Sequence, residues 1–149
     1  MRVKLSAAVA FVIGSFVGHI AEVSACTFSG LQYKVSFEPR AATLTADEQR
    51  KIRGWFVGWR DGAGIADALV VSESTKGDDK GRELSMERLR VIRNVLDPLK
   101  VDGIDIRYGN GIRDEKPEGI LAVVLDEVEI SIQPACTKTD TCCPVPIGK

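Results

Sequence analysis

The stretch that decides the fold is Val70-Val71-Ser72-Glu73, followed by the segment Ser74 to Glu83 and then by Leu84-Ser85-Met86-Glu87-Arg88-Leu89. A β-branched apolar run ends at an acidic residue, ten residues rich in Gly, Lys and Asp follow, and an amphipathic segment then begins. This pattern predicts a strand, a loop and a helix. Such a unit places the carboxylate of Glu73 and the guanidinium of Arg88 at the same end.

The start of the predicted helix gives the arginine an unusual position. Ser85 is the predicted N-cap, Leu84 can pack on Leu89 as a hydrophobic staple, and Arg88 falls at N3. An arginine there opposes the helix dipole at a cost of roughly a few tenths of a kcal/mol. We therefore expect Arg88→Ala to change stability little, and a ligand carboxylate to meet both the guanidinium and the free N–H groups of the first turn.

These residues also carry a family resemblance. Leu84-Ser85-x-x-Arg88 resembles the Leu-Ser-x-x-Arg signature of the OmpA-like peptidoglycan-binding domain, and residues 35–45 resemble the opening strand and turn of that family. The family's other ligand residue is the aspartate of a Gly-His-Thr-Asp motif, onto which gapless counting from Arg88 brings Glu73, preceded by Ser72. The resemblance implies that Glu73 holds the ammonium and Arg88 the carboxylate of diaminopimelate in the peptidoglycan stem peptide. Ser72, Leu84 and Ser85 would support the site.

The chain departs from the family pattern in two places. Gly81 or Arg82 stands where the family has an asparagine shortly before its Leu-Ser pair. Residues 124–128, Val-Leu-Asp-Glu-Val, replace a run containing several arginines at the entrance to the last strand. Basic groups that help to shape the family's site have thus become acidic.

The beginning of the chain predicts export. Residues 1–25 have the form of a secretory signal peptide, with two basic residues, a largely apolar run and a small-residue cleavage site before Cys26. Val23-Ser24-Ala25-Cys26 also resembles a bacterial lipobox, which would lipidate Cys26 and attach the protein to the outer membrane. We predict a periplasmic protein with an OmpA-like domain over residues 26–133 and a cysteine-containing tail over residues 134–149, without a transmembrane segment in the mature chain.

Composition limits the chemistry of this mature chain. It keeps 18 basic and 20 acidic residues, a balance that argues against nucleic acid as a partner. The single histidine, His19, leaves with the signal peptide, which excludes histidine-based catalysis and metal ligation. We expect no enzyme activity, no cofactor and no metal. In an oxidising compartment the cysteines favour disulfides, Cys26 bonding to the tail and a second bridge forming within Cys136 to Cys143. The four cysteines are Cys26, Cys136, Cys142 and Cys143.

Hydrophobic periodicity predicts the remaining elements. The order is β-α-β-α-β-β, an α+β fold with two helices packed on one face of a mixed sheet, which is also the order of the OmpA-like fold. The predicted strands are 31–37, 66–72, one containing Ile104, Ile106 and Tyr108, and a bent strand from Ile120 to Ile132; the predicted helices are Thr45 to about Trp59, opened by a capping box, and Ser85 to about Leu99.

Two functions remain open from the sequence. The first is a non-catalytic envelope protein that binds peptidoglycan through Glu73 and Arg88. The second is a small disulfide-stapled protein that contacts an envelope protein partner, as an inhibitor or adaptor, on an OmpA-like scaffold that has lost peptidoglycan binding. In the second case the two charged residues pair with each other, or with Lys76 and Asp78, as a solvated surface network.

Overall fold

The computed structural model describes residues 30–115, 117–119, 125–139 and 142. Within them the elements follow the predicted order β-α-β-α-β-β. The strands are β1 (Gln32–Ser36), β2 (Ile65–Thr75), β3 (Asp105–Arg113) and β4 (Glu127–Pro134), and the helices are α1 (Ala46–Asp61) and α2 (Asp79–Leu96), the latter continued by a 3-10 turn, Asp97–Leu99.

The four strands form one mixed sheet in the order β1-β4-β2-β3. The β2–α2–β3 unit is a crossover between parallel strands, whereas β4 is inserted antiparallel between β1 and β2. β3 is therefore one edge of the sheet and β1 is the other. The α+β fold class predicted from the sequence is confirmed.

The core lies between the sheet and the two helices, because strand side chains alternate between the two faces. The even-numbered residues of β2 and β4 point towards the helices, and the apolar stripes of α1 and α2 cover them. The odd-numbered residues form the opposite surface, here called the open face, where Leu69 is 41% exposed. The fully buried core residues are Val35, Ile52, Phe56, Ala68, Val70, Ile92, Leu96, Val128 and Ile130.

The first helix begins where the sequence predicts. Thr45 is its N-cap, and its side chain accepts a hydrogen bond of 3.1 Å from the backbone N–H of Glu48. Satisfying one of the free N–H groups of the first turn in this way fixes the helix start.

The second helix begins seven residues earlier than predicted, since its N-cap is at 78 and not at 85, so the prediction of Ser85 as the N-cap is wrong. Asp78 is the N-cap, and its carboxylate accepts a 2.9 Å hydrogen bond from the backbone N–H of Gly81. The connection from β2 is a tight turn through Gly77, whose φ of 79° suits glycine. The predicted ten-residue loop is therefore the end of a strand, a short turn and the first turns of a helix. Arg88 consequently lies inside α2, not at N3.

The third strand extends beyond the residues from which the sequence predicts it, Ile104, Ile106 and Tyr108, since it continues through Gly109-Asn110-Gly111 to Arg113. Asn110 accepts a hydrogen bond of 2.8 Å from Ser85 and exchanges hydrogen bonds with Ser74. This polar cluster between β2, β3 and α2 holds the asparagine in the sheet. The glycines on either side of it occupy the positions of β3 that belong to the open face. Ser85 thus joins the helix to the sheet and does not cap the helix.

The last strand begins later than predicted. Leu125 and Asp126 form a short 3-10 turn directly before β4, and residues 120–124, predicted as the first half of a bent strand, lie outside the described residues. After Pro134 the chain forms a 3-10 helix, Ala135–Lys138, and a disulfide joins Cys136 to Cys142. One bridge within the tail is therefore present as predicted, whereas Cys26 and Cys143 lie outside the described residues.

Candidate functional site

Arg88 lies on the face of α2 that packs against the sheet. Its residue exposure is 1%, and it shares this buried face with Ser85, Leu89 and Ile92. The burial follows from helical spacing, because Ser85, Arg88, Ile92 and Val95 recur every three or four residues on the side of α2 that faces the sheet. The guanidinium also lies 5.1 Å from the centre of the Phe37 ring, in cation–π geometry.

Oxygen acceptors inside the protein surround the guanidinium. Nε donates to the carbonyl of Ala41 at 2.8 Å, and Nη1 donates to the carbonyl of Leu125 at 2.6 Å. Nη2 donates to the carbonyl of Glu38 at 3.1 Å and to Oδ1 of Asp126 at 2.9 Å. Arg88 therefore ties α2 to the β1–α1 connection and to the turn that precedes β4.

This arrangement uses most of the binding capacity of the arginine. A guanidinium has about five N–H donors and no acceptor, and the contacts above occupy four donors, one of them in an ion pair. Asp126 belongs to the acidic run that stands where the family has arginines. The replacement of the family's arginines by the acidic residues of 124–128 therefore gives Arg88 a carboxylate from its own chain.

Glu73 lies on the other side of the sheet. It is an odd-numbered residue of β2, and its neighbours in the strand, Ser72 and Ser74, are buried under the helices. Its carboxylate pairs with Arg113 of β3, and the hydrogen bond raises the pKa of Arg113. The glutamate also borders a shallow cavity of about 300 Å³ on the open face. The residues that line this cavity are Lys34, Val71, Glu73, Arg113, Glu127 and Glu129.

The structure does not bring the two predicted ligand residues together. Glu73 faces the open side, whereas Arg88 is buried between the sheet and the helices. A direct ion pair between Glu73 and Arg88 is also not observed, because Glu73 pairs with Arg113 and Arg88 pairs with Asp126. Lys76, in the turn after β2, pairs with Asp114 at 3.2 Å.

The three predicted supporting residues lie on β2 and α2. Ser72 is fully buried, and its hydroxyl has no hydrogen-bond partner among the described residues. Leu84 is half-buried on α2, and Ser85 bonds to Asn110. Ser72 and Ser85 are therefore buried where α2 packs on the sheet.

Sequence reasoning did not find the partners that decide these roles. Asp126 and Arg113 are 38 and 40 residues from Arg88 and Glu73. The acidic pair Asp126-Glu127 was the available signal for the first of these pairs. For the second pair, the sequence does not show that β3 continues through Gly109-Asn110-Gly111. This continuation brings Arg113 next to the end of β2.

The open face has its own charge pattern. Three carboxylates, those of Glu73, Glu127 and Glu129, border the cavity together with two basic groups. Lys34 pairs with Glu127 at 3.6 Å, and Glu129 accepts a hydrogen bond from Ser131. The acidic excess suits a cationic group on a ligand, and the apolar side chain of Val71 at the cavity suits an aliphatic one.

Other kinds of site are not found in the part of the chain that the structure describes. In it, no three His, Cys, Asp or Glu side chains gather as a metal ion would require. Among the same residues, no helix is long and apolar enough to cross a membrane.

Two helices on one face of a four-stranded mixed sheet in the order β1-β4-β2-β3 define the fold of this chain as that of OmpA-like domains. A solved structure with this fold, the OmpA-like domain of FopA1 from Francisella tularensis, matches 73% of this chain and 80% of its own with a TM-score of 0.50. The two sequences are 20% identical, so the likeness concerns the fold. No protein-family model and no curated protein matches the sequence.

Proposed function

We propose that this protein is a non-catalytic binding protein of the cell envelope that acts through protein contacts on an OmpA-like scaffold. OmpA-like domains are typically non-catalytic modules of envelope proteins and generally bind peptidoglycan. The observation that carries the proposal is the internal use of Arg88. A residue that is 1% exposed and donates four hydrogen bonds within its own chain has little left to offer a diaminopimelate carboxylate.

The location proposed from the sequence is the periplasm, with outer-membrane attachment if Cys26 is lipidated. The disulfide between Cys136 and Cys142 supports an oxidising compartment. Mass spectrometry of the protein purified from the envelope tests both points, since a diacylglycerol on Cys26 changes the mass of the mature chain.

The open face is the proposed contact surface. It combines the 41% exposed Leu69 with the half-buried Val71 and a border of acidic residues. Apolar surface surrounded by charge is typical of transient protein interfaces. A partner with an aliphatic side chain next to a lysine or arginine fits this chemistry.

A photo-crosslinking experiment tests the contact surface. A crosslinking amino acid at Leu69 should capture a discrete envelope protein in intact cells, and the same amino acid at Arg53, exposed on α1, is the matched control. Adding Glu129→Lys to the Leu69 variant should reduce the crosslink, because it reverses the acidic excess. A Leu69 crosslinking pattern equal to that of Arg53 would contradict the proposal.

Peptidoglycan is the second candidate, favoured by the OmpA-like fold and by the gapless spacing of Glu73 and Arg88. It requires Arg88 to exchange its internal acceptors for a ligand, or a different residue to take the carboxylate. Co-sedimentation with diaminopimelate-type sacculi separates the two candidates. Our proposal predicts no binding above that of a non-binding protein of similar charge. Saturable binding that falls in Glu73→Gln would favour the second candidate.

A further inference from the structure

In the part of the chain that the structure describes, the edge strand β3 leaves one side of its backbone open. Among those residues it pairs with β2 alone, over its nine residues from Asp105 to Arg113. The backbone N–H of Lys76 donates to the carbonyl of Arg113, so the odd-numbered residues of β3 bond towards β2. Since backbone groups alternate along a strand, Ile106, Tyr108, Asn110 and Ile112 direct their N–H and C=O groups outwards.

This edge carries the charged residues Asp105, Arg107 and Arg113 but lacks two other common protections against strand pairing. It contains no proline and no lysine, and nine residues is long for an edge strand. Ile112 at its end is 64% exposed, and next to it Met86 of α2 is 51% exposed. Both residues line a groove between the first turns of α2 and the strand. An open edge beside exposed apolar side chains is the surface that a further strand would cover.

The sequence of β3 is complementary to itself in one antiparallel register. If Gly109 lies opposite Gly109 of a second copy, Asp105 lies opposite Arg113, and the reverse pair forms on the other side of the twofold axis. All these residues occupy non-hydrogen-bonded positions, where opposite side chains approach most closely. The exposed Ile112 then lies opposite Ile106, and Arg107 lies opposite the small Gly111.

The neighbouring registers are less favourable. A shift of two residues in one direction places Arg107 opposite Arg113 and Asp105 opposite Glu115, which are like-charge pairs. A shift of two residues in the other direction leaves Asp105 and Arg107 opposite glycines and forms no charge pair. Charge complementarity therefore favours one register and a second copy of this chain as the occupant, with Arg113 lying between Glu73 of its own copy and Asp105 of the other copy.

We infer that β3 is a homodimerisation edge, at which two copies of this chain join antiparallel about a twofold axis through Gly109 into one continuous sheet. The outward N–H and C=O groups of four residues in each copy then pair with those of the other copy. The interface is isologous, as a twofold dimer requires. This inference does not require the proposed function, because the copies join through backbone groups of the β3 edge. Arg113 also lines the cavity on the open face, so its variant is assessed by dimerisation and not by ligand binding.

Charge reversal gives a test that needs no knowledge of the ligand. The oxidised mature protein is studied by sedimentation velocity over a wide concentration range, and the wild type should show a reversible monomer–dimer equilibrium. Asp105→Arg places two arginine pairs across the axis, and Arg113→Asp places two aspartate pairs there. Each variant alone should weaken the dimer by about tenfold or more. Arg53→Asp on α1 makes the same charge change as Arg113→Asp but away from the edge. It should leave the monomer–dimer equilibrium unaltered.

The decisive measurement is the equimolar mixture of Asp105→Arg and Arg113→Asp. In a mixed dimer the introduced arginine of one copy lies opposite the introduced aspartate of the other, and the unchanged Asp105 and Arg113 form the second pair. Heterodimers should therefore form at concentrations at which each variant alone is monomeric. Circular dichroism of each variant shows that it is folded. A wild type that stays monomeric at every concentration, or a mixture that stays monomeric while both variants are folded, would overturn the inference.

Discussion

Arg88 has about five N–H donors and no acceptor, so a buried position must offer it several oxygens at once. The carbonyls of Glu38, Ala41 and Leu125 and the carboxylate of Asp126 meet this need. The same guanidinium at a helix start would be free for a ligand. Its role as an internal brace therefore depends on the surrounding backbone, not on the residue type.

Removing the brace should destabilise the protein. Arg88→Ala deprives three carbonyls of a donor and leaves Asp126 without its cation, so we expect the free energy of unfolding to fall by about 3 to 5 kcal/mol. This reverses the expectation from the sequence that stability changes little. Urea unfolding measures it, with Arg53→Ala on the exposed side of α1 as the control, for which a change within about 0.5 kcal/mol is expected. Equal stability of the two variants would show that Arg88 is not a brace.

Tyr108 links β3 to the end of α2. Its hydroxyl donates to Asp97 at 2.7 Å, and Arg93 lies 4.5 Å from the centre of its ring. Burial, together with the hydrogen bond to Asp97, raises the pKa of the phenol above its ordinary value of about 10. The folded state therefore favours the protonated phenol.

The sign of this shift predicts an alkaline loss of stability. The contribution of Tyr108 is complete below the unfolded pKa of about 10 and decreases as pH rises from there towards the raised folded pKa. Tyr108→Phe keeps the ring over Arg93 but removes the titrating group, so its free energy of unfolding should fall less steeply with pH above about 10. Tyr33→Phe should change the pH dependence of the free energy of unfolding in the same direction, since the pKa of Tyr33 is also raised. If the free energy of unfolding fell equally steeply with pH in the wild type and in Tyr108→Phe, the raised pKa of Tyr108 would be contradicted.

At the scale of elements, the sequence predicts what is local and periodic. The alternation of β1, the capping box of α1 and the apolar stripe of α2 all lead to the observed elements. The prediction fails where a tertiary contact decides the conformation. Asn110 extends β3 through two glycines because it bonds to Ser74 and Ser85, and neither partner is near it in the sequence.

The start of α2 gives a prediction at this scale. Asp78→Ala removes the side chain that accepts from the Gly81 N–H, so the helix should lose about 0.5 to 2 kcal/mol of stability. Hydrogen exchange should speed up at the first amides of the helix, at Arg82 in particular, whose N–H bonds to the carbonyl of Asp78. Asp102→Ala, in an exposed turn, is the control. Unchanged exchange in Asp78→Ala would place the helix start at Ser85 instead.

At the scale of the whole molecule, the fold was predictable because the order of elements and the motif spacing both indicate it. The candidate site was less predictable. Gapless counting aligned Glu73 with the family's ligand position, but strand alternation sends its side chain to the open face, where Arg113 binds it. Burial of Ser72 and Ser74 on either side fixes that orientation, and burial follows from how the helices pack.

Arg88 donates four hydrogen bonds within its own chain, and we propose that it is an internal brace and not a ligand group. Its Nε–H donates to the Ala41 carbonyl in a buried site, so it should give a ¹⁵N–¹H resonance that exchanges slowly with water at neutral pH. NMR of the mature protein, with the resonance assigned by its absence from Arg88→Lys, measures this directly. We predict a protected signal that does not move when diaminopimelate is added. An Nε–H that exchanges as fast as that of the exposed Arg53, and that shifts saturably with diaminopimelate, would contradict the account.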